Sequence, residues 1–166
     1  MATASNQPLA VWAGFLRAHS ALTTRLEHEL VTERGLPLAW FEVLLQIDRA
    51  GHPLRMQELG NAVLLSKSGL TRLVDRMETA GLVERTSCPT DRRGVHVAIT
   101  ALGGDALAAA GPVHLRGIAE HFTGRLDPDD LRALATIVAK LVDDGRTPAP
   151  ACDEAALPAA APAEAR

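Results

Sequence analysis

The side chains with the most to offer chemically are concentrated between Ser66 and Gly94, in the run SKSGLTRLVDRMETAGLVERTSCPTDRRG. Ser66, Lys67, Ser68, Thr71 and Arg72 crowd the start of a segment with helical periodicity, and Arg92 and Arg93 stand on a turn further along. Hydroxyl, ammonium and guanidinium groups at a helix start are donors for phosphate oxygens and base edges. The helix dipole and the free N–H groups of the first turn add to the attraction for anions. Other chemistries find less support. No nucleophile, base and orienting group assemble, so an enzyme is not expected. Cys88 has Arg85 and Arg92 near it in sequence, as a stabilised thiolate would need, whereas Cys152 lies in a tail; two cysteines make no disulfide framework. His114 and His121 share a helix face, but their seven-residue spacing lacks the i,i+4 geometry of a compact metal pair. These histidines read as structural or surface groups, with no metal or cofactor expected.

The elements that must position the donors follow from periodicity. Leu70, Leu73, Val74 and Met77 fall on one helical face, which turns Ser68, Thr71, Arg72 and Asp75 the other way. Ser66 is the predicted N-cap, with Leu65 packing on Leu70 as a hydrophobic staple. Gly81 is the predicted left-handed stop, with Leu82 folding back on Met77. Asp75 faces the donor side, where it would pair with Arg72 or accept from a cytosine amino group. Before this helix the sequence predicts a short one from about Leu54 to Ala62, with Met56 and Leu59 inward, and a turn at Val63 to Leu65. Two short helices joined by a tight turn make a helix-turn-helix. After it, Val83–Ser87 and Val95–Ile99 alternate as strands around the CPTDRRG tip. Arg92 and Arg93 on such a tip would reach an adjacent minor groove, with Asp91 holding the tip through a nearby arginine.

Longer helices flank this unit. Leu9, Trp12, Leu16, His19, Leu22, Leu26 and Leu30 recur at three- and four-residue steps, giving one amphipathic helix whose apolar side exceeds what a small neighbouring domain would cover. A partner chain is the expected cover. Leu38 to Arg49, carrying Trp40, Phe41, Leu44, Leu45 and Ile47, reads as core. Thr100 caps an alanine-rich helix expected to run to about Gly124 and to kink at Pro112. Asp127-Pro128-Asp129-Asp130 opens a last helix through Leu131, Leu134, Ile137, Val138 and Leu141. Residues 1–7 are expected to fray, and the Pro/Ala-rich tail 145–166 to be disordered.

Composition agrees with one compact domain plus appendages: 166 residues, 47% hydrophobic and 22% charged. The net charge of −3 is unevenly spread. Arg55–Gly94 holds seven Lys/Arg against five Asp/Glu, net +2, leaving ten against fifteen, net −5, elsewhere. Cations are therefore richest where the phosphate donors lie. No signal sequence or apolar run of membrane-spanning length is evident, so the expectation is a soluble cytoplasmic protein.

Three stretches together resemble the MarR family of winged-helix transcriptional regulators: LSKSGLTRLVDRMETAGLVER at Leu65–Arg85, the Asp91-x-Arg93-Gly94 turn, and VAIT at Val97–Thr100. The similarity covers roughly residues 8–144. It implies a mainly α fold with a small β-hairpin wing, a DNA-binding lobe at about 38–100, and dimerisation helices at about 8–33 and 101–144. It also implies a homodimer on a palindromic double-stranded DNA operator, usually with repression relieved by a small aromatic or lipophilic effector. For such an effector Trp12, Phe15, His19, Trp40 and Phe41 are the candidate lining. The family's peroxide sensors use a cysteine in the first helix with tyrosine partners, and this chain has neither. The alternative is a winged-helix protein-interaction module without specific DNA binding, which the net acidic chain would suit.

Overall fold

The computed structural model describes residues 7–63, 67–87 and 95–142. Among these residues six helices and a three-stranded sheet follow in the order α1 (Gln7–Arg34), α2 (Leu38–Ala50), β1 (Leu54–Arg55), α3 (Met56–Ala62), α4 (Lys67–Thr79), β2 (Val83–Ser87), β3 (Val95–Ile99), α5 (Ala101–His121) and α6 (Pro128–Val142). A 3-10 turn at Thr123–Arg125 separates α5 from α6. The architecture is thus mainly α with a small antiparallel sheet, as expected.

The core of the lobe gathers Phe41, Val43, Leu44 and Ile47 from α2, Leu59 from α3, Leu70, Val74 and Met77 from α4, and Val83 and Val97 from the sheet. Burying a side chain of this size is worth about 1.5–3 kcal/mol, so three helices and two strands are held by a shared interior. From the long helices, Leu30 of α1 and Leu107, Ala110 and Val113 of α5 join the same cluster. Polar contacts reinforce the packing of α1 on α5: His121 Nε2 lies 2.5 Å from Glu29 Oε1, and Arg116 pairs with Glu33. Gly117 lets the two helices approach, since a Cβ there would press on Glu29 and Leu26.

Two boundaries differ from the sequence expectation. Leu54 and Arg55 do not begin a helix. They pair with Val97 and His96 as the edge strand of a sheet ordered β1-β3-β2, and α3 starts at Met56. Pairing with a distant strand, together with burial of Leu54, overrides local helical pattern here. Glu58 then accepts from the Arg55 N–H at 2.7 Å, tying down the start of α3. The fifth helix runs through Pro112 and ends at His121, short of the Gly124 expected; the 3-10 turn takes up the difference. At α6 Asp127 Oδ1 accepts from Asp130 N at 2.8 Å, the cap its sequence predicts.

Candidate nucleic-acid interface

The fourth helix carries the candidate interface. Its inward residues Leu70, Leu73, Val74 and Met77 are buried, leaving Thr71, Arg72, Asp75 and Arg76 exposed along the opposite side. Lys67 and Ser68 belong to its first turn. Its far end stops by the backbone pattern that Gly81 permits: at φ 74° Gly81 donates to Glu78 O at 2.9 Å, and Leu82 donates to Met77 O at 3.0 Å. Both C-terminal carbonyls are satisfied, which is the Schellman ending the sequence predicts.

A second joint fixes that end against α5. The Thr100 hydroxyl donates to Gly81 O at 2.6 Å and accepts from Gly103 N at 3.0 Å, while Thr100 N donates to Leu82 O at 3.1 Å. One residue caps α5 and holds the end of α4. Gly103 makes the closeness possible, because a Cβ at that position would run into the Leu82 carbonyl. The Thr100 hydroxyl and these close backbone contacts therefore help to fix the angle of the exposed face of α4.

Arg85 on β2 ties the strand to the same helix. Its Nη2 lies 2.5 Å from Asp75 Oδ1, its other terminal nitrogen pairs with Glu78, and its backbone N–H donates to Glu78 Oε1 at 3.1 Å. Burial acts to lower the Arg85 pKa, but hydrogen bonds to Asp75 and Glu78 outweigh it and raise the guanidinium further above its ordinary value. Of the two expectations for Asp75, this corrects the pairing with Arg72. Its partner is ten residues away, on the strand leading to the wing. Arg72 is exposed on the helix, and Arg76, which the sequence reading missed, stands one turn further along in the same condition.

The remaining expectations divide by position. Ser66, the Leu65 staple, Cys88, Asp91, Arg92 and Arg93 lie outside the described residues. At the start of α3, Arg55 and Gln57 are exposed, a further cation and amide that the sequence reading did not assign. Its signal would have been the β1–α3 boundary, where a helix start faces outward.

A cavity of about 460 Å³ lies between α1, α2 and the end of α3, lined by His19, Thr23, Thr24, Glu27, Leu38, Ala39, Glu42 and Val63. Of the five candidate lining residues only His19 is brought there. Phe41 is closed into the core against the His114 ring, centroids 4.5 Å apart, because its side of α2 faces α5. Trp40 packs against the core cluster, and Trp12 and Phe15 stack on each other at 6.1 Å on the outer part of α1. Glu27 Oε2 accepts from Leu38 N at 2.5 Å, holding the first turn of α2 to α1. Glu42 is exposed at the cavity, yet partial desolvation by the surrounding protein raises its pKa against the lowering influence of Arg49.

Among the described residues no three His, Cys, Asp or Glu side chains converge as a metal site, and no helix is long and apolar enough to cross a membrane.

Residues 34–94, essentially the lobe that contains this interface, match the MarR family. The chain is 33% identical to the transcriptional regulator HosA of Escherichia coli O111:H-, over 73% of this chain and 86% of HosA. Its fold superposes on that of AbsC, a MarR family transcriptional regulator from Streptomyces coelicolor. The TM-score is 0.77 and the identity 30%, covering 85% of this chain and 95% of AbsC. It is also similar to Sco3205, a regulator of that family and organism solved in complex with DNA, with TM-score 0.75, 28% identity, and coverage of 85% and 91%. With the winged helix-turn-helix lobe, the exposed basic face of α4 and these relatives in agreement, the chain belongs to the MarR family of transcriptional regulators, DNA-binding proteins rather than enzymes.

Proposed function

We propose that two copies of this chain bind a palindromic operator as a homodimer, each placing α4 in a major groove and its wing against the neighbouring minor groove. The observation that carries this is the separation of duties on α4. One face is wholly buried, and the other offers Thr71, Arg72 and Arg76 to solvent on a helix held at both its end and its flank. In this reading Ser66, Lys67, Ser68, Thr71 and Arg72 contact bases and phosphates, Arg92 and Arg93 serve the minor groove, and Asp91 steadies the tip. Arg55 and Arg76 add phosphate contacts at the edges. The relative Sco3205 has been solved with DNA, which supports the same use of the fold here.

Dimerisation is supported by apolar side chains left uncovered in one chain: Leu9, Val11, Trp12, Phe15 and Leu16 on α1, with Ile137 and Leu141 on α6. Repression, relieved when a small lipophilic effector enters the cavity between α1 and α2, completes the reading, since that cavity lies between the proposed dimer helix and the lobe.

Selection of duplexes from a random pool tests it. The expected product is an inverted repeat with half-site centres about one helical turn, 10–10.5 base pairs, apart. Absence of any enriched motif at physiological salt would overturn the reading in favour of a protein-contact module. Log affinity for the selected site should fall linearly with log salt, and Arg72→Ala should make the slope shallower by about 1.

A further inference from the structure

We propose that the cavity between α1 and α2 takes an organic cation, a protonated amine carried on an apolar body, in preference to an aromatic acid. Its volume of about 460 Å³ falls within the range of small-molecule sites, roughly 300–1,000 Å³. The walls are apolar at Leu38, Ala39 and Val63, and two carboxylates, Glu27 and Glu42, are placed among them. Among the described lining residues the two carboxylates meet no Lys or Arg, so at these walls a carboxylate ligand faces like charge and an ammonium faces opposite charge.

The two glutamates are not equivalent. One oxygen of Glu27 is engaged by the Leu38 N–H, so this carboxylate already serves the first turn of α2. Glu42 makes no such bond among the described residues, and its carboxylate stands at the cavity, open to an incoming ligand. Arg49 acts on Glu42 only at a distance and is not among the lining residues, so an ammonium group beside Glu42 can add a direct charge-assisted hydrogen bond, stronger than a neutral one. The apolar body then covers Leu38, Ala39 and Val63. Because Glu27 couples α1 to the start of α2, a cation that shares Glu27 acts on the joint between the long helix and the DNA-binding lobe. This ligand class specifies the effector proposed above, and rests on that reading for its consequence at the operator.

The test uses three matched probes on the full-length protein without DNA: 4-phenylbutylamine, 4-phenylbutanol and 4-phenylbutanoate, titrated calorimetrically at about pH 8, where carboxylates are ionised and alkylamines still charged. The amine is expected to bind about tenfold or more tighter than the acid, with the alcohol between them. Glu42→Gln should remove most of the preference for the amine while leaving the alcohol's affinity unchanged, which also shows that the cavity remains folded. Acid binding as tight as amine binding, no binding by any probe, or a preference that survives Glu42→Gln would each overturn the proposal. Operator affinity is then measured with the amine present. Amine binding that leaves it unmoved defeats the release reading and not the ligand class.

Discussion

His114 sits on α5 only 8% exposed, its ring against Phe41 and its Nδ1 buried without a hydrogen-bond partner. Desolvation disfavours the charged imidazole and lowers its pKa from the ordinary 6.5. Its folded-state pKa lies below the unfolded one, so the unfolded chain binds the proton first. The stability contributed by neutral His114 is present above about pH 6.5 and is lost as pH falls toward the lowered value. His114→Phe keeps a ring in the site and removes the titration. Urea unfolding of the variant at a series of pH values should show a smaller loss between neutral and mildly acid pH than in the parent. Two glycines give a second residue-scale contrast. Gly81→Ala would meet only ordinary contact at Leu102, so its cost is the left-handed backbone, about 1–2 kcal/mol. Gly103→Ala drives a methyl into the Leu82 carbonyl and should cost more, in the upper part of the roughly 1–3 kcal/mol range for overpacking or beyond it. Thermal denaturation of the two variants side by side should rank them in that order.

At the scale of elements, Arg85 joins β2 to α4 through Asp75 and Glu78. Exposed ion pairs contribute little to stability, about 0–1 kcal/mol, and Asp75 is 56% exposed. Arg85→Ala should therefore lower operator affinity more visibly than it lowers the melting temperature, because the loss is in orientation. A double-mutant cycle with Asp75→Ala, read in DNA affinity, should show the two effects to be non-additive. The inward face and the far end of α4 were legible in the sequence, since its buried residues repeat at helical spacing and Gly81 marks its end. Its lateral tie was not. Sequence proximity favours Arg72 as the partner of Asp75, whereas the turn at Gly81 and Leu82 brings Arg85 back alongside the helix. The strand β1 was illegible for a related reason: two residues carry no period, and the partner that makes them a strand lies beyond α4. The cavity escaped too, because aromatic side chains attract attention in a sequence. Here Phe41 is spent in the core, and the lining is made of threonines, glutamates and small apolar residues.

For the whole molecule, the uncovered apolar side chains of α1 and α6 set the oligomeric prediction. Light scattering should give twice the 17.6 kDa chain mass for the parent. Trp12→Asp combined with Ile137→Asp should give a monomer that keeps its helical circular dichroism and binds DNA far more weakly. A parent chain that stays monomeric at micromolar concentration would defeat that expectation. The joint at Thr100 and Gly103 has a bearing on redesign. The Thr100 hydroxyl and backbone atoms of Gly81, Leu82 and Gly103 make this joint, and the outward side chains of Arg72 and Arg76 lie outside it. The proposed reading face is in effect a replaceable cassette: a different target sequence could be addressed by exchanging those side chains on an unchanged mount. Asp75 is the exception, being outward-facing yet fastened to Arg85, so a graft that alters one would have to carry both.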